Sequence, residues 1–129
     1  ALRRGAEVAR GDLVDQLLIP QVEAGVCEAL RRQGEPLPAG ELDAVGVVET
    51  TTVASSILAA DLALKEASVD LIDLRVANGL GGKSFLTVTG EVSDVRSSVQ
   101  AAAGSAESSG RLARHVVIPR PHPELSAHL

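Results

Sequence analysis

The feature that most constrains this chain is a glycine-dense loop between two alternating runs, in LIDLRVANGLGGKSFLTVTG at residues 71–90. In residues 71–76 the period-2 pattern of a half-buried strand places Ile72, Leu74 and Val76 on one face and Asp73 and Arg75 on the other. Residues 84–89 alternate in the same way, with Leu86 and Val88 on the face opposite Phe85, Thr87 and Thr89. Three glycines lie within four positions of the loop: Gly79, Gly81 and Gly82. Glycine permits positive φ and lets the backbone come close to another group. The pattern therefore predicts two strands joined by a loop whose backbone closely approaches a neighbouring group.

The triplet Gly82-Lys83-Ser84 matches the end of a phosphate-binding loop, but two observations argue against that interpretation. The first glycine of the motif would fall on Ala77. A phosphate loop also opens a helix whose N–H groups face the anion, whereas residues 85–89 have the period of a strand. The remaining alternative from the residues alone is a connecting loop that binds nothing.

Composition narrows the classes of protein that this chain can belong to. The formal net charge of −5 argues against a nucleic-acid-binding surface, and no run approaches the roughly 18 apolar residues of a membrane span. The single cysteine, Cys27, excludes an intramolecular disulfide and a cysteine zinc site. No signal peptide is visible. We therefore expect a soluble cytoplasmic protein with neither nucleic acid nor membrane as a partner.

The front of the chain predicts a helix, a strand and a second helix. Residues 2–9 place small apolar side chains on one face, and Gly11 ends the helix. Residues 13–19 are predicted as a strand ended by Pro20, and an apolar residue every fourth position predicts a helix reaching Arg32. Two prolines and two glycines in residues 33–43 indicate a linker.

From residue 44 the predicted order is strand, helix, strand, strand, helix, strand. Thr51 or Thr52 is expected to cap the first of these helices, and the second begins near Ser93. This order is the β-α-β-β-α-β unit of ferredoxin-like folds, in the α/β (α+β) class. We expect a mainly antiparallel four-stranded sheet with both helices on one face.

An internal repeat gives the domain organisation. Shifted by 99 positions, residues 5–20 align with residues 104–119, with identical glycines, leucine, isoleucine and proline. We interpret residues 1–32 as the C-terminal remnant of a first domain, residues 33–43 as a linker, residues 44–123 as a complete second domain and residues 124–129 as a tail. The remnant is expected to pack against the second domain of the same or a neighbouring chain.

These residues also resemble a known family, the bacterial microcompartment shell proteins, and within it the tandem-domain members of propanediol-utilisation type. The segments that carry the resemblance are VGVVETTTVASSILAADLALKEASVDLIDLRVA, NGLGGKS, TGEVSDVRSSV and HVVIPRPH. They cover residues 45–122 in register, and residues 1–20 match the end of a preceding domain. The A-A-D-x-x-x-K-x-A and V-I-P-R-P-H motifs make the resemblance specific.

The resemblance implies a structural tile. Members of the tandem type form trimers that resemble hexamers, and these discs meet edge to edge in a cytoplasmic shell with other microcompartment shell proteins. The loop between the central strands is expected to line a pore for small polar or anionic metabolites, through Asn78, Gly79, Leu80, Gly81, Gly82, Lys83 and Ser84. The residues expected at the tile edge are Lys65, Arg120, Asp61 and His122.

The resemblance also bears on cofactors and catalysis. Some relatives hold an iron–sulfur cluster through a cysteine in the loop of the first domain, a loop that does not occur in these residues. We expect no cofactor and no metal site here, so a cluster is possible only in a complete protein that has that loop. No nucleophile with a neighbouring base stands out, and we expect no enzyme. The alternative function is a ferredoxin-like trimeric regulator that binds a metabolite in an inter-subunit cleft.

Overall fold

The computed structural model describes residues 1–32, 35–37, 40, 42–76 and 81–129. Its helices are α1 (Leu2–Ala9), α2 (Ala24–Arg31), α3 (Val53–Glu66) and α4 (Val92–Ser108), with short 3-10 turns at Arg10–Asp12 and Pro123–His128. Its strands are β1 (Ala44–Thr50), β2 (Asp70–Val76), β3 (Ser84–Gly90) and β4 (Leu112–Pro119). The predicted β-α-β-β-α-β order is confirmed from residue 44 onward.

The four strands form one sheet in the order β2-β3-β1-β4, and every described pair is antiparallel. Even-numbered side chains of β1 and β3 point toward the helices, where Val48, Leu86 and Val88 are fully buried. The predicted alternation of β3 and its place beside β2 are therefore confirmed. A strand at Ser84–Gly90 also agrees with the argument against a phosphate loop, which requires a helix there.

Helices α3 and α4 pack side by side on one face of the sheet, as predicted, and small side chains make this close approach possible. Ala59, Ala60 and Ala63 of α3 and Ala102 of α4 are completely buried in the core. The hydroxyl of Ser98 donates to the carbonyl of Ala63 at 2.9 Å and joins the two helices. Thr52, one of the two predicted caps, accepts a hydrogen bond from the backbone N–H of Ser55 at the start of α3.

The strand predicted at residues 13–19 is wrong, because this segment pairs with no strand among the described residues. Its alternation is real from Val14 onward, since residues 15, 17 and 19 are half-buried and the even positions are exposed, up to 73% at Val14 and 76% at Leu18. It is attached by isolated bonds instead: Arg111 Nη2 donates to the Val14 carbonyl at 3.2 Å, and the Thr52 hydroxyl donates to Asp15 Oδ2 at 2.6 Å. Such bonds fix a segment without aligning its backbone to a strand.

Helix α2 belongs to the same core as residues 44–119. Val26 and Ala29 are buried among the apolar side chains of β2 and α3. Beyond α2, the backbone N–H of Leu37 donates to the Ile72 carbonyl at 2.8 Å, and Arg32 Nη2 donates to the Leu71 carbonyl at 3.1 Å. These bonds satisfy carbonyls on the outer edge of β2, the edge away from β3, where no strand lies among the described residues.

The alternation predicted for β2 is interrupted by a change of register. Leu71 pairs with Val88 and Asp73 with Thr87, so Ile72 is an extra residue between two successive pairs. As a result Leu71 and Leu74 both enter the core, although strict alternation would place them on opposite faces. The predicted apolar face of Ile72, Leu74 and Val76 is therefore correct only after the bulge.

Candidate functional site

Among the described residues, the predicted pore residues 81–84 lie at one end of the sheet, and the predicted edge residues Lys65 and Arg120 lie at the other. At one end Ser84 pairs with both Thr50 and Val76, so this end carries the connection between β2 and β3. At the other end Ala44 pairs with Gly90 and Pro119, directly before Arg120. Helix α3 runs from the loop end, after Thr50, to the opposite end, before Asp70. Lys65 in its last turn therefore lies at the same end as Arg120.

At the loop end, Gly81, Gly82 and Lys83 are exposed. Gly81 has φ of 64° and Gly82 has φ of 88°, and a Cβ at either position would meet no atom within 4 Å. The glycines are thus required by the backbone conformation and leave open space around the turn. Asn78, Gly79 and Leu80, predicted as pore-lining, lie outside the described residues.

The prediction that Ser84 lines a pore is wrong, because this residue is completely buried at the start of β3. It shares a face with Leu86 and Val88, toward the helices, since side chains two positions apart point the same way. Its hydroxyl oxygen has no hydrogen-bond partner among the residues that the structure describes. The sequence placed Ser84 in the loop by its nearness to the glycines, whereas the strand begins at Ser84 itself.

At the opposite end, Lys65 Nζ lies 2.6 Å from Asp61 Oδ2 one helical turn earlier. The two partners differ in exposure: 37% of the Lys65 side chain is exposed, but only 1% of the Asp61 side chain. Asp61 Oδ1 also accepts a hydrogen bond from the backbone N–H of Glu23 at 2.8 Å. Lys65 is therefore accessible at this end of the sheet, whereas Asp61 is too deeply buried to touch a neighbouring molecule as predicted.

Arg120 and His122 are exposed just after β4. Arg120 has φ of 46°, and its backbone N–H donates to the Asp43 carbonyl at 2.6 Å, which holds the turn at the start of β1. His122 Nδ1 accepts a hydrogen bond from the backbone N–H of Glu124 at 3.3 Å and caps the 3-10 turn of the predicted tail. Both side chains are exposed at the same end of the sheet as Lys65.

Sequence reasoning missed a groove of about 370 Å³ on the sheet face opposite the helices. Arg75 Nη2 donates to Asp73 Oδ2 at 3.1 Å, and the Arg75 guanidinium lies 5.3 Å from the centre of the Phe85 ring. Burial raises the pKa of Asp73 above its ordinary value, and the nearby charge of Arg75 offsets only part of that rise. Only the alternation of Asp73 and Arg75 against apolar neighbours, with Phe85 as the single aromatic residue, could have indicated this surface.

The described residues contain no group of three or more His, Cys, Asp or Glu side chains that could hold a metal ion. An iron–sulfur cluster is bound through thiolates, and Cys27, the only cysteine of the chain, lies on α2 and not in the loop between β2 and β3. The residues present therefore do not fit such a cluster. Within the described part of the chain, no helix is long and apolar enough to cross a membrane.

Comparison with known proteins identifies relatives along nearly the whole chain. Residues 44–121 match the model of the BMC domain. The chain is 41% identical to the bacterial microcompartment shell protein PduT of Citrobacter freundii over 122 residues, which are 95% of this chain and 65% of that protein. It is 33% identical to the shell protein EutM of Salmonella typhimurium over 65% of this chain and 85% of that protein.

Among solved structures, the chain resembles a microcompartment protein from Desulfitobacterium hafniense with a TM-score of 0.83 and 39% identity, covering 98% of this chain and 68% of that one. The names of the relatives describe shell proteins and no enzyme, which agrees with the prediction of a structural role. The family predicted from the sequence motifs is confirmed. The chain belongs to the BMC-domain family of bacterial microcompartment shell proteins.

Proposed function

We propose that this chain is a tile of a microcompartment shell, with the loop between β2 and β3 at a central pore and the end of the sheet near Lys65 at the tile rim. The observation that carries the proposal is that Gly81, Gly82 and Lys83 lie at one end of the sheet, whereas Lys65 and Arg120 lie at the other. A strand of seven residues spans about 20 Å, enough to separate a central opening from an outer edge.

The pore part of the proposal rests on Gly81, Gly82 and Lys83. In a closed ring the same loop of each subunit converges on the symmetry axis. The exposed glycine backbone offers N–H groups without side chains that would block the opening, and Lys83 adds one positive charge per copy. Small polar or anionic metabolites are therefore the proposed passengers.

The assembly part of the proposal rests on Lys65, Arg120 and His122, which are exposed at the other end. We propose a trimer that resembles a hexamer, surrounded by further copies and other shell proteins in a cytoplasmic microcompartment. A lysine stem can lie flat on a neighbouring tile while its ammonium donates to backbone carbonyls. Each such contact is weak, but repetition around the disc makes the assembly strong.

The test is the variant Lys65→Ala, with Glu66→Ala as a matched control, because Glu66 is the next exposed residue of the same helix end. We expect Lys65→Ala to keep the oligomer in light scattering and to lose extended sheets in electron microscopy, while Glu66→Ala keeps both. Dissociation of the oligomer by Lys65→Ala, or unchanged sheets, contradicts the rim assignment.

The groove beside Asp73, Arg75 and Phe85 supports a second candidate, a trimeric regulator that binds a small metabolite. An apolar cavity with a few converging polar groups is the usual form of a small-molecule site. The two candidates differ in behaviour, since a regulator remains a discrete oligomer at high concentration and a tile forms sheets. Metabolite-dependent shifts of Phe85 signals in the absence of sheets favour the regulator.

A further inference from the structure

Asp61 joins two parts of the chain that are far apart in sequence. One carboxylate oxygen accepts from Lys65 Nζ at 2.6 Å, and the other accepts from the backbone N–H of Glu23 at 2.8 Å. Glu23 is the N-cap residue of α2, and Val26 and Ala29 of that helix enter the core. A carboxylate that is 1% exposed depends on its donors, because burial removes the water that would otherwise solvate it.

The two donors affect each other through the solvent. While α2 is docked, water is kept from Asp61, and the attraction between its carboxylate and the Lys65 ammonium is strong. When the Glu23 amide leaves, water reaches Asp61, and the pair with Lys65 becomes as weak as an exposed ion pair one turn apart on a helix. The position of the Lys65 ammonium then depends on whether α2 is docked.

We propose that Asp61 is a positioning residue that couples the docking of α2 to the geometry of Lys65 at the tile rim. The inference rests on the proposed function for the role of Lys65 in tiling. Its central claim, that the Glu23 amide controls Lys65 through Asp61, concerns contacts within one chain and is measured without sheets. Asp61 thus acts through Lys65 and not by touching a neighbouring tile.

The decisive variant is Glu23→Pro, with Glu23→Gln as its matched control. Glu23 has φ of −64°, which lies in the range that proline adopts, so Glu23→Pro removes the N–H donor, and the ring carbon that replaces the amide hydrogen displaces the Asp61 carboxylate. Glu23→Gln removes the charge of the side chain but keeps the N–H. Hydrogen exchange at residues 26–30 reports the docking of α2.

The state of Lys65 is read by acylation with an amine-reactive ester and mass spectrometry. Lys65 and Lys83 are the only lysines of the chain, so Lys83 in the loop is an internal reference. For Glu23→Pro we expect exchange in α2 to be about tenfold faster or more, as for the loss of one hydrogen bond to a charged group. We expect the labelling of Lys65 relative to Lys83 to rise, and sheet formation to require more protein. Glu23→Gln should match the unmodified chain in all three.

Equal labelling ratios in Glu23→Pro and Glu23→Gln overturn the coupling. A higher ratio in Glu23→Pro with unchanged sheets supports the coupling and counts against the rim assignment of the proposed function.

Discussion

Gly46 of β1 lies directly beneath Val99 of α4, so closely that a methyl group on Gly46 would overlap Cγ2 of Val99. The same methyl would lie 2.9 Å from Cγ1 of Val95 and 3.1 Å from Cγ2 of Val88. All three valines are at most 2% exposed, so none can move aside into solvent. The absence of a side chain at Gly46 therefore sets how near α4 approaches the sheet.

The first prediction follows from this contact. Gly46→Ala should lower the free energy of unfolding by about 1–3 kcal/mol, because α4 must shift or its valines must leave their rotamers. Gly104→Ala is the matched control, since a Cβ on Gly104 meets nothing within 4 Å and alanine favours the helix by about 0.5–1 kcal/mol. Urea unfolding of both variants checks the prediction, and equal stability of Gly46→Ala and the unmodified chain contradicts it.

The second prediction concerns the ion pair of Lys65 with Asp61. We expect Lys65→Ala to lower the free energy of unfolding by about 1–2 kcal/mol, between the values for exposed and fully buried pairs, because only Asp61 is buried. Arg4→Ala is the control, since its pair with Glu7 is exposed on both sides and should contribute less than about 0.5 kcal/mol. Equal effects of the two changes in urea unfolding would show that the burial of Asp61 is without consequence.

The third prediction is a dependence on pH. Burial raises the pKa of Asp73 above 3.8, so the folded state holds this proton more tightly than the unfolded state. The contribution of Asp73 to stability is therefore fully present below pH 3.8 and is lost as the pH rises through its folded pKa. Asp73→Asn, which is neutral throughout, should unfold at higher urea than the unmodified chain at pH 7, with a difference that shrinks toward pH 4.

The control for this pH dependence is Asp70→Asn, at the exposed start of the same strand. We expect it to change the free energy of unfolding by less than about 0.5 kcal/mol at both pH values. A difference for Asp73→Asn that grows as the pH falls, or a loss of stability at pH 7, would show that the bond with Arg75 outweighs the burial of the charge.

The fold was predictable because local patterns and packing agree from residue 44 onward. Alternation identified β3, the cap at Thr52 marked the start of α3, and α4 begins at Val92, one residue from the predicted start near Ser93. The bulge at Ile72 was not predictable, because a change of register depends on the neighbouring strand and not on β2 alone. The same limit applies to residues 13–19, which alternate in burial from Val14 onward although no strand of the described residues pairs with them.

The sequence identified candidate residues of the site, but it did not show which of them the fold buries. The motifs single out Lys65 and Arg120, which the fold brings to one end of the sheet, because strand order and helix length determine that end. They do not reveal that Asp61 is buried, since its second donor, the amide of Glu23, comes from 38 residues earlier in the chain. The groove beside Phe85 was missed for a similar reason, because it forms only when strands distant in sequence lie side by side.

The last prediction concerns the loop. Gly81→Leu should slow the entry of small polar or anionic solutes into intact shells, because a leucine in this open space would narrow a central opening. A φ of 64° costs any side chain about 1 kcal/mol, so Gly81→Ala is the matched control that carries the same strain with less bulk. Encapsulated-enzyme assays on shells that contain each variant measure solute entry. We expect shells with Gly81→Ala to admit solute nearly as fast as shells with the unmodified chain. Equal rates of solute entry for Gly81→Leu and Gly81→Ala would place this loop away from the route that solutes take.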